Sequence, residues 1–90
     1  MRIIFTPEAW SDYQFWLETD RGTLRRINHL IESARRTPFA GIGKPEALRG
    51  EFAGWWSRRI NREHRLVYKV EGRAEEQTIV LSACRFHYGK

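Results

Sequence analysis

Gly54-Trp55-Trp56-Ser57-Arg58-Arg59-Ile60-Asn61-Arg62-Glu63-His64-Arg65-Leu66-Val67-Tyr68-Lys69-Val70 holds two strand-like runs around the polar turn Asn61-Arg62-Glu63. The second run is rich in β-branched and aromatic side chains, which fit a pleated, half-buried surface. Strand side chains alternate between faces. Trp55, Ser57 and Arg59 therefore oppose Trp56, Arg58 and Ile60, while Arg65, Val67 and Lys69 oppose His64, Leu66, Tyr68 and Val70. The apolar set Leu66, Tyr68 and Val70 is expected to face a core, which sends Arg65 to the open face. A short hairpin link then brings Arg59 and Arg65 together on that face.

On either side of this hairpin the chain reads as helices, then strands. Arg2 to Phe5 suits a first strand. Thr6-Pro7-Glu8 starts a helix, with Thr6 as N-cap, proline at the first helical position and an acid at the positive end of the dipole. Ala9, Tyr13, Trp16 and Leu17 share one helical face. Asp20-Arg21-Gly22 reads as a break, and Leu24, Ile27, Leu30, Ile31 and Ala34 form the apolar stripe of a second helix ending at Thr37-Pro38. Pro38 to Pro45 reads as a loop, Glu46 to Glu51 as a short strand, Glu71 to Glu76 as a polar connection and Gln77 to Arg85 as the last strand. The expected fold is α+β: one domain over residues 1–90, with two N-terminal helices on one face of a mostly antiparallel, roughly five-stranded sheet.

Composition narrows the function. The 90 residues carry 16 Lys and Arg against 11 Asp and Glu, for a formal charge of +5, and thirteen of the cations are arginine. Arginine's planar fork suits phosphate, so the balance points to a polyanionic partner, either nucleic acid or an acidic protein. Four Trp, five Phe and three Tyr supply a dense core for so small a chain. A lone Cys84 gives no intrachain disulfide and fits a reducing cytoplasm. The start of the chain lacks the apolar run of a signal peptide, and no stretch approaches the length of a membrane span. A cytoplasmic protein is expected.

Glu46, Arg59, Arg65, His87 and Tyr88 are what cutting RNA without a metal requires. A base takes the ribose 2′-OH proton, cations hold the charge gathering on the phosphate, and an acid protonates the departing 5′-oxygen. Glu46, after a Gly-rich turn and Pro45, is the candidate base. His87 is the candidate acid, because an imidazole titrates nearest neutrality. Arg59 and Arg65 are the candidate phosphate cations, with Arg49 beyond Glu46 as a further one. Tyr88 would stack on a base or orient the phosphate. Each residue also suits a plainer role: Glu46 as a solvated turn carboxylate, His87 and Tyr88 as chain-end residues, the arginines as a solvated or docking face. His64 reads as a packed, hydrogen-bonded histidine, His29 as exposed and Cys84 as a buried strand residue. No His/Cys/Asp spacing matches a zinc site, and neither a metal nor a cofactor is expected.

Trp10-Ser11-Asp12-Tyr13, Glu18-Thr19-Asp20, Arg35-Arg36-Thr37-Pro38-Phe39, Gly43-Lys44-Pro45-Glu46, Trp56-Ser57-Arg58-Arg59-Ile60, Glu63-His64-Arg65-Leu66-Val67-Tyr68 and Ala83-Cys84-Arg85-Phe86-His87-Tyr88 resemble, in order, the YoeB-type toxins of the RelE superfamily. The resemblance covers nearly the whole chain. It implies a ribosome-dependent endoribonuclease that cuts mRNA in the decoding site, with Glu46 as base, His87 as acid, Arg65 on the phosphate, and Arg59 and Tyr88 completing the site. It also implies a homodimer and a cognate antitoxin whose disordered, acidic C-terminal segment wraps the toxin. Operator DNA would be bound only by the toxin–antitoxin complex. Arg49 stands where the family commonly has lysine, Phe86 replaces a common tyrosine, the connection around Arg73-Ala74-Glu75-Glu76 is longer than typical, and Gly89-Lys90 extends past the usual ending. Two other readings use the same fold: a catalytically silent module that binds RNA, ribosome or antitoxin, and a gyrase-poisoning toxin. Alanine at Glu46 and His87 separates an enzyme from the silent module, and a purified gyrase assay tests the third.

Overall fold

The computed structural model describes residues 1–87. Strand β1 (Arg2–Phe5) leads into helices α1 (Pro7–Thr19) and α2 (Arg21–Arg36); β2 (Glu46–Ala47), β3 (Trp56–Arg59), β4 (Arg65–Glu71) and β5 (Thr78–Ala83) follow. The strands form one sheet in the order β1-β5-β4-β3-β2. β1 runs parallel to β5, and every other pair is antiparallel. No helix among the described residues is long and apolar enough to cross a membrane.

The helix ends follow from their capping residues. Thr6 Oγ1 accepts from the Ala9 N–H at 3.1 Å, and Pro7 occupies the first helical position. The expected three-residue break between the helices is narrowed to Asp20. Its N–H donates to the Trp16 carbonyl at 2.9 Å, closing α1, and its carboxylate accepts from the Thr23 N–H at 3.1 Å, opening α2. That N–H holds the Asp20 carboxyl below its ordinary range. One residue satisfies both helix ends, so Arg21 and Gly22 are helical.

Leu24, Ile27, Leu30, Ile31 and Ala34 of α2 are buried as their spacing predicts, beside Ala9 and Trp16 of α1. They pack on Leu66, Tyr68, Ile79 and Leu81 of the sheet. Each large apolar side chain buried this way contributes about 1.5–3 kcal/mol. Tyr13 and Leu17 are only partly buried.

Several strand ends differ from expectation: β3 is shorter than the expected 54–60, and β4 is shifted by one residue from the expected 64–70. The β2 strand stops at Ala47 instead of reaching Glu51, because Gly50 takes a left-handed φ of +67° and opens a 3-10 turn over Gly50–Phe52. Cys84 is buried but lies just past β5, where the chain bends away from the sheet.

Candidate active site

A cleft of about 440 Å³ opens on the sheet face away from the helices, lined by Lys44, Pro45, Glu46, Ser57, Arg59, Arg65 and His87. Strand register builds it. Glu46 pairs with Ser57, and Arg59 pairs with Arg65, so all four side chains share one face. The carboxylate row and the arginine row lie two residues apart along β3, about 7 Å at the rise of an extended chain. That spacing suits a phosphate held between a base and its counter-charges.

Glu46 reaches the cleft at the end of a loop that is folded around Arg58. Arg58 is fully buried, at 0% exposed, on the helix side of β3. Its Nε donates to Tyr68 Oη at 3.0 Å, and NH1 donates to Ser33 Oγ at 2.8 Å and to the Ile42 carbonyl at 2.9 Å. NH2 donates to the carbonyls of Thr37 (2.7 Å), Ala40 (2.7 Å) and Pro38 (3.3 Å). These partners are neutral, so the loop's carbonyls take the place of water around a buried cation. Gly43 closes the loop with φ +86°, and its carbonyl accepts from the Arg59 N–H at 2.7 Å. A β-carbon there would lie 2.6 Å from Leu30 Cδ2, so only glycine fits without displacement. Lys44 follows at φ +53° and enters the cleft. It is a cation that sequence reasoning passed over, although its place beside Pro45-Glu46 was a usable signal.

The Arg65 side chain is on the predicted face but not in the open. It is 9% exposed, because its NH1 donates to the carbonyls of Asn61 at 2.7 Å and His64 at 3.0 Å, turning the guanidinium back over its own hairpin. This fixes the cation before any substrate arrives. Arg59 is exposed beside it, and its carbonyl accepts from Arg26 NH2 at 3.1 Å. Arg49 is exposed at the start of the 3-10 turn and is not among the residues lining the cleft. Tyr88 lies outside the described residues.

His87 is carried into the cleft by a turn that is anchored on both sides. Asp12 Oδ2 accepts from the Cys84 N–H at 3.0 Å, and Trp16 Nε1 donates to the Cys84 carbonyl at 2.8 Å. The Arg85 guanidinium lies over the Phe15 ring at 3.5 Å and the Phe86 ring at 4.5 Å. Phe86 donates its N–H to His64 Nδ1 at 2.7 Å and accepts from the Arg65 N–H at 3.0 Å. Burial raises the Asp12 carboxyl above its ordinary value. Burial, helped by the Asp12 charge, pushes the Cys84 thiol up to about 12. His64 is the hydrogen-bonded, packed residue its sequence position suggests, and His29 is exposed.

The cleft thus combines one carboxylate and one imidazole with Lys44, Arg59 and Arg65. A carboxylate and an imidazole can move a proton on and off, and three cations can stabilise charge developing on phosphorus. Among the described residues no group of three or more His, Cys, Asp or Glu side chains is placed to hold a metal.

Residues 5–88 match the family model described as YoeB-like toxin of bacterial type II toxin-antitoxin system. Toxin YoeB of Escherichia coli (strain K12) is 49% identical over 88 residues, covering 98% of this chain and all of that protein. The solved YoeB/ParE toxin from Agrobacterium tumefaciens superposes with a TM-score of 0.96 at 53% identity, covering 98% of this chain and 100% of that one. The Staphylococcus aureus YoeB dimer matches with a TM-score of 0.86 at 40% identity, covering 98% of each chain, and so does the same toxin in a heterotetrameric YoeB–YefM toxin–antitoxin complex.

Proposed function

The chain belongs to the YoeB-like toxins of bacterial type II toxin–antitoxin systems, and on that premise we propose that it is a ribosome-dependent endoribonuclease, an mRNA interferase that halts translation. The observation that carries this reading is the convergence of Glu46, Arg59, Arg65 and His87 on one cleft from three strands and the C-terminal turn. Glu46 takes the proton from the ribose 2′-OH, and the freed oxygen attacks the adjacent phosphorus. Arg65, with Arg59 and Lys44, bears the charge of the phosphorane. His87 gives its proton to the departing 5′-oxygen, leaving a 2′,3′-cyclic phosphate on one fragment and a 5′-hydroxyl on the other. Tyr88 orients the phosphate or stacks on a base, and Arg49 contacts the message outside the cleft. No cofactor or metal takes part in these steps.

Among the described residues lining it, the cleft offers charges for a phosphate but few groups that read base edges, Ser57 being the one neutral hydroxyl there. Register on the message must therefore come from a scaffold, and the ribosome's decoding site supplies it. The basic chain also suits an antitoxin with an acidic, disordered C-terminal segment that orders on binding. The partners of the Staphylococcus relative, a second copy and YefM, make a homodimer and a YefM-like antitoxin the corresponding expectations here. Operator DNA would be contacted by that complex, and the setting is the cytoplasm.

The chemistry is tested with an mRNA carrying 2′-deoxyribose at the nucleotide whose hydroxyl would attack. Cleavage should stop at that position only, and the all-ribose message should yield a 2′,3′-cyclic phosphate end. A cut at the deoxy position, or a 5′-phosphate product, would overturn the mechanism.

A further inference from the structure

We propose that His64 is the positioning residue for His87: its Nδ1 lone pair holds the Phe86 N–H and so directs the next side chain into the cleft. The inference rests on the reading of His87 as the proton donor. Phe86 is not a glycine, yet its φ is +65°, and the residue is 58% exposed. A left-handed conformation is unfavourable for a non-glycine residue and persists only where its surroundings impose it. Here two hydrogen bonds impose it, both from the start of β4: the Phe86 N–H to His64 Nδ1 at 2.7 Å, and the Arg65 N–H to the Phe86 carbonyl at 3.0 Å. Without the first, residue 86 can relax to an ordinary φ, and the chain after it turns elsewhere.

The imidazole is suited to this task and is itself held in place. Its Nδ1 can accept only when that nitrogen is unprotonated, so the hydrogen bond assigns the neutral form with its proton on Nε2. The ring stands edge-on to Trp16, with centroids 4.9 Å apart and planes at 80°. Trp16 in turn donates to the Cys84 carbonyl. One tryptophan of α1 therefore braces both the histidine and the turn it holds. His64 also precedes Arg65, so the phosphate cation and the proton donor are located from the same two residues.

The test pairs His64→Phe, which keeps an aromatic ring against Trp16 but removes the acceptor, with His64→Asn, whose Oδ1 can stand near the Nδ1 position. Each is measured by single-turnover cleavage on programmed ribosomes, alone and combined with His87→Ala. His64→Phe should slow cleavage at saturating toxin by about tenfold or more, the scale expected when a reacting group is misplaced by about an ångström. The half-saturating concentration should stay within about twofold, and His64→Asn should recover most of the loss. On the His87→Ala background, His64→Phe should have no further effect, because there is no donor left to position. A His64→Phe variant as fast as wild type, or one that slows the His87→Ala protein by the same factor, would overturn the proposal. Amide exchange gives a readout that does not depend on nuclease activity. The Phe86 amide should be protected in wild type and in His64→Asn, and should exchange at least tenfold faster in His64→Phe while the β4 and β5 amides are unchanged. Equal protection in all three would overturn the positioning role, whereas a wild type that never cuts RNA would overturn the nuclease reading instead.

Discussion

Arg58 and Tyr68 meet at 3.0 Å on the helix side of the sheet, and both donate to the carbonyl of Pro38, at 3.3 and 2.6 Å. The loop that delivers Glu46 is thereby tied to neighbouring strands β3 and β4. Replacing Arg58 with methionine strands the loop's inward-turned carbonyls and should cost roughly 3–5 kcal/mol, the scale of removing one side of a buried charged network. Tyr68→Phe removes one hydroxyl and should cost roughly 1–2 kcal/mol. Urea denaturation measures both, and equal midpoints for the two variants would refute the role given to Arg58.

Gly43→Ala tests the same loop from its other end. The new methyl must displace Leu30 at an unfavourable φ of +86°. A loss of about 2–4 kcal/mol is expected from overpacking and backbone strain together. Cleavage should fall further than the fraction unfolded explains, because Lys44 and Glu46 follow directly. Activity that tracks the folded fraction alone would contradict this.

Cys84 should be chemically silent in the native protein. With its thiol pushed up to about 12 by burial, the thiolate is scarce at neutral pH. Iodoacetamide should leave the folded protein unmodified and label it readily in denaturant, as mass spectrometry would show. The folded value lies above the unfolded one near 9.0. The associated stability is therefore fully present below pH 9 and is lost as pH rises towards 12. Rapid labelling of native protein would contradict the burial.

Asp12 carries a cost at neutral pH. Its carboxyl is raised from 3.8, first by burial, with the Cys84 N–H and the Arg85 charge opposing. The contribution is thus present below the unfolded value and lost as pH rises through the folded one. Asp12→Asn keeps an oxygen for the Cys84 N–H without the buried charge. Between about pH 4 and pH 7, wild type should lose stability relative to Asp12→Asn, while Asp12→Ala should be weaker at both by roughly 1–2 kcal/mol. Parallel melting-temperature curves for wild type and Asp12→Asn would rule the shift out.

Much of this molecule was legible as period and punctuation. The alternation over residues 54–70 put Arg59 and Arg65 on one face, and the register pairs them directly. The Thr6 cap and the α2 stripe were equally readable, because both are local. What sequence did not reveal is partly local conformation that no period encodes, and partly contact with distant partners. Arg65 is turned inward by carbonyls of its own hairpin, and β2 is cut short by the conformation of Gly50. Arg58 stood in the same alternating row as Trp56 and Ile60, a charged residue in an apolar position. Its burial depends on Ser33 and the 37–42 loop, which no strand period can announce. His87 was singled out as a chemical type, but the contacts that aim it come from Asp12, Trp16 and His64.

The most direct measurement is primer extension on a defined mRNA held on ribosomes with an empty A site, with wild type run beside Glu46→Ala and His87→Ala. The predicted result is a cut within the A-site codon, made by wild type, absent without ribosomes, and reduced at least 100-fold in each variant, as expected for loss of a proton-transfer group. An intact message with wild type, or cleavage by either variant within a few-fold of wild type, would contradict the acid–base pair assigned to this cleft.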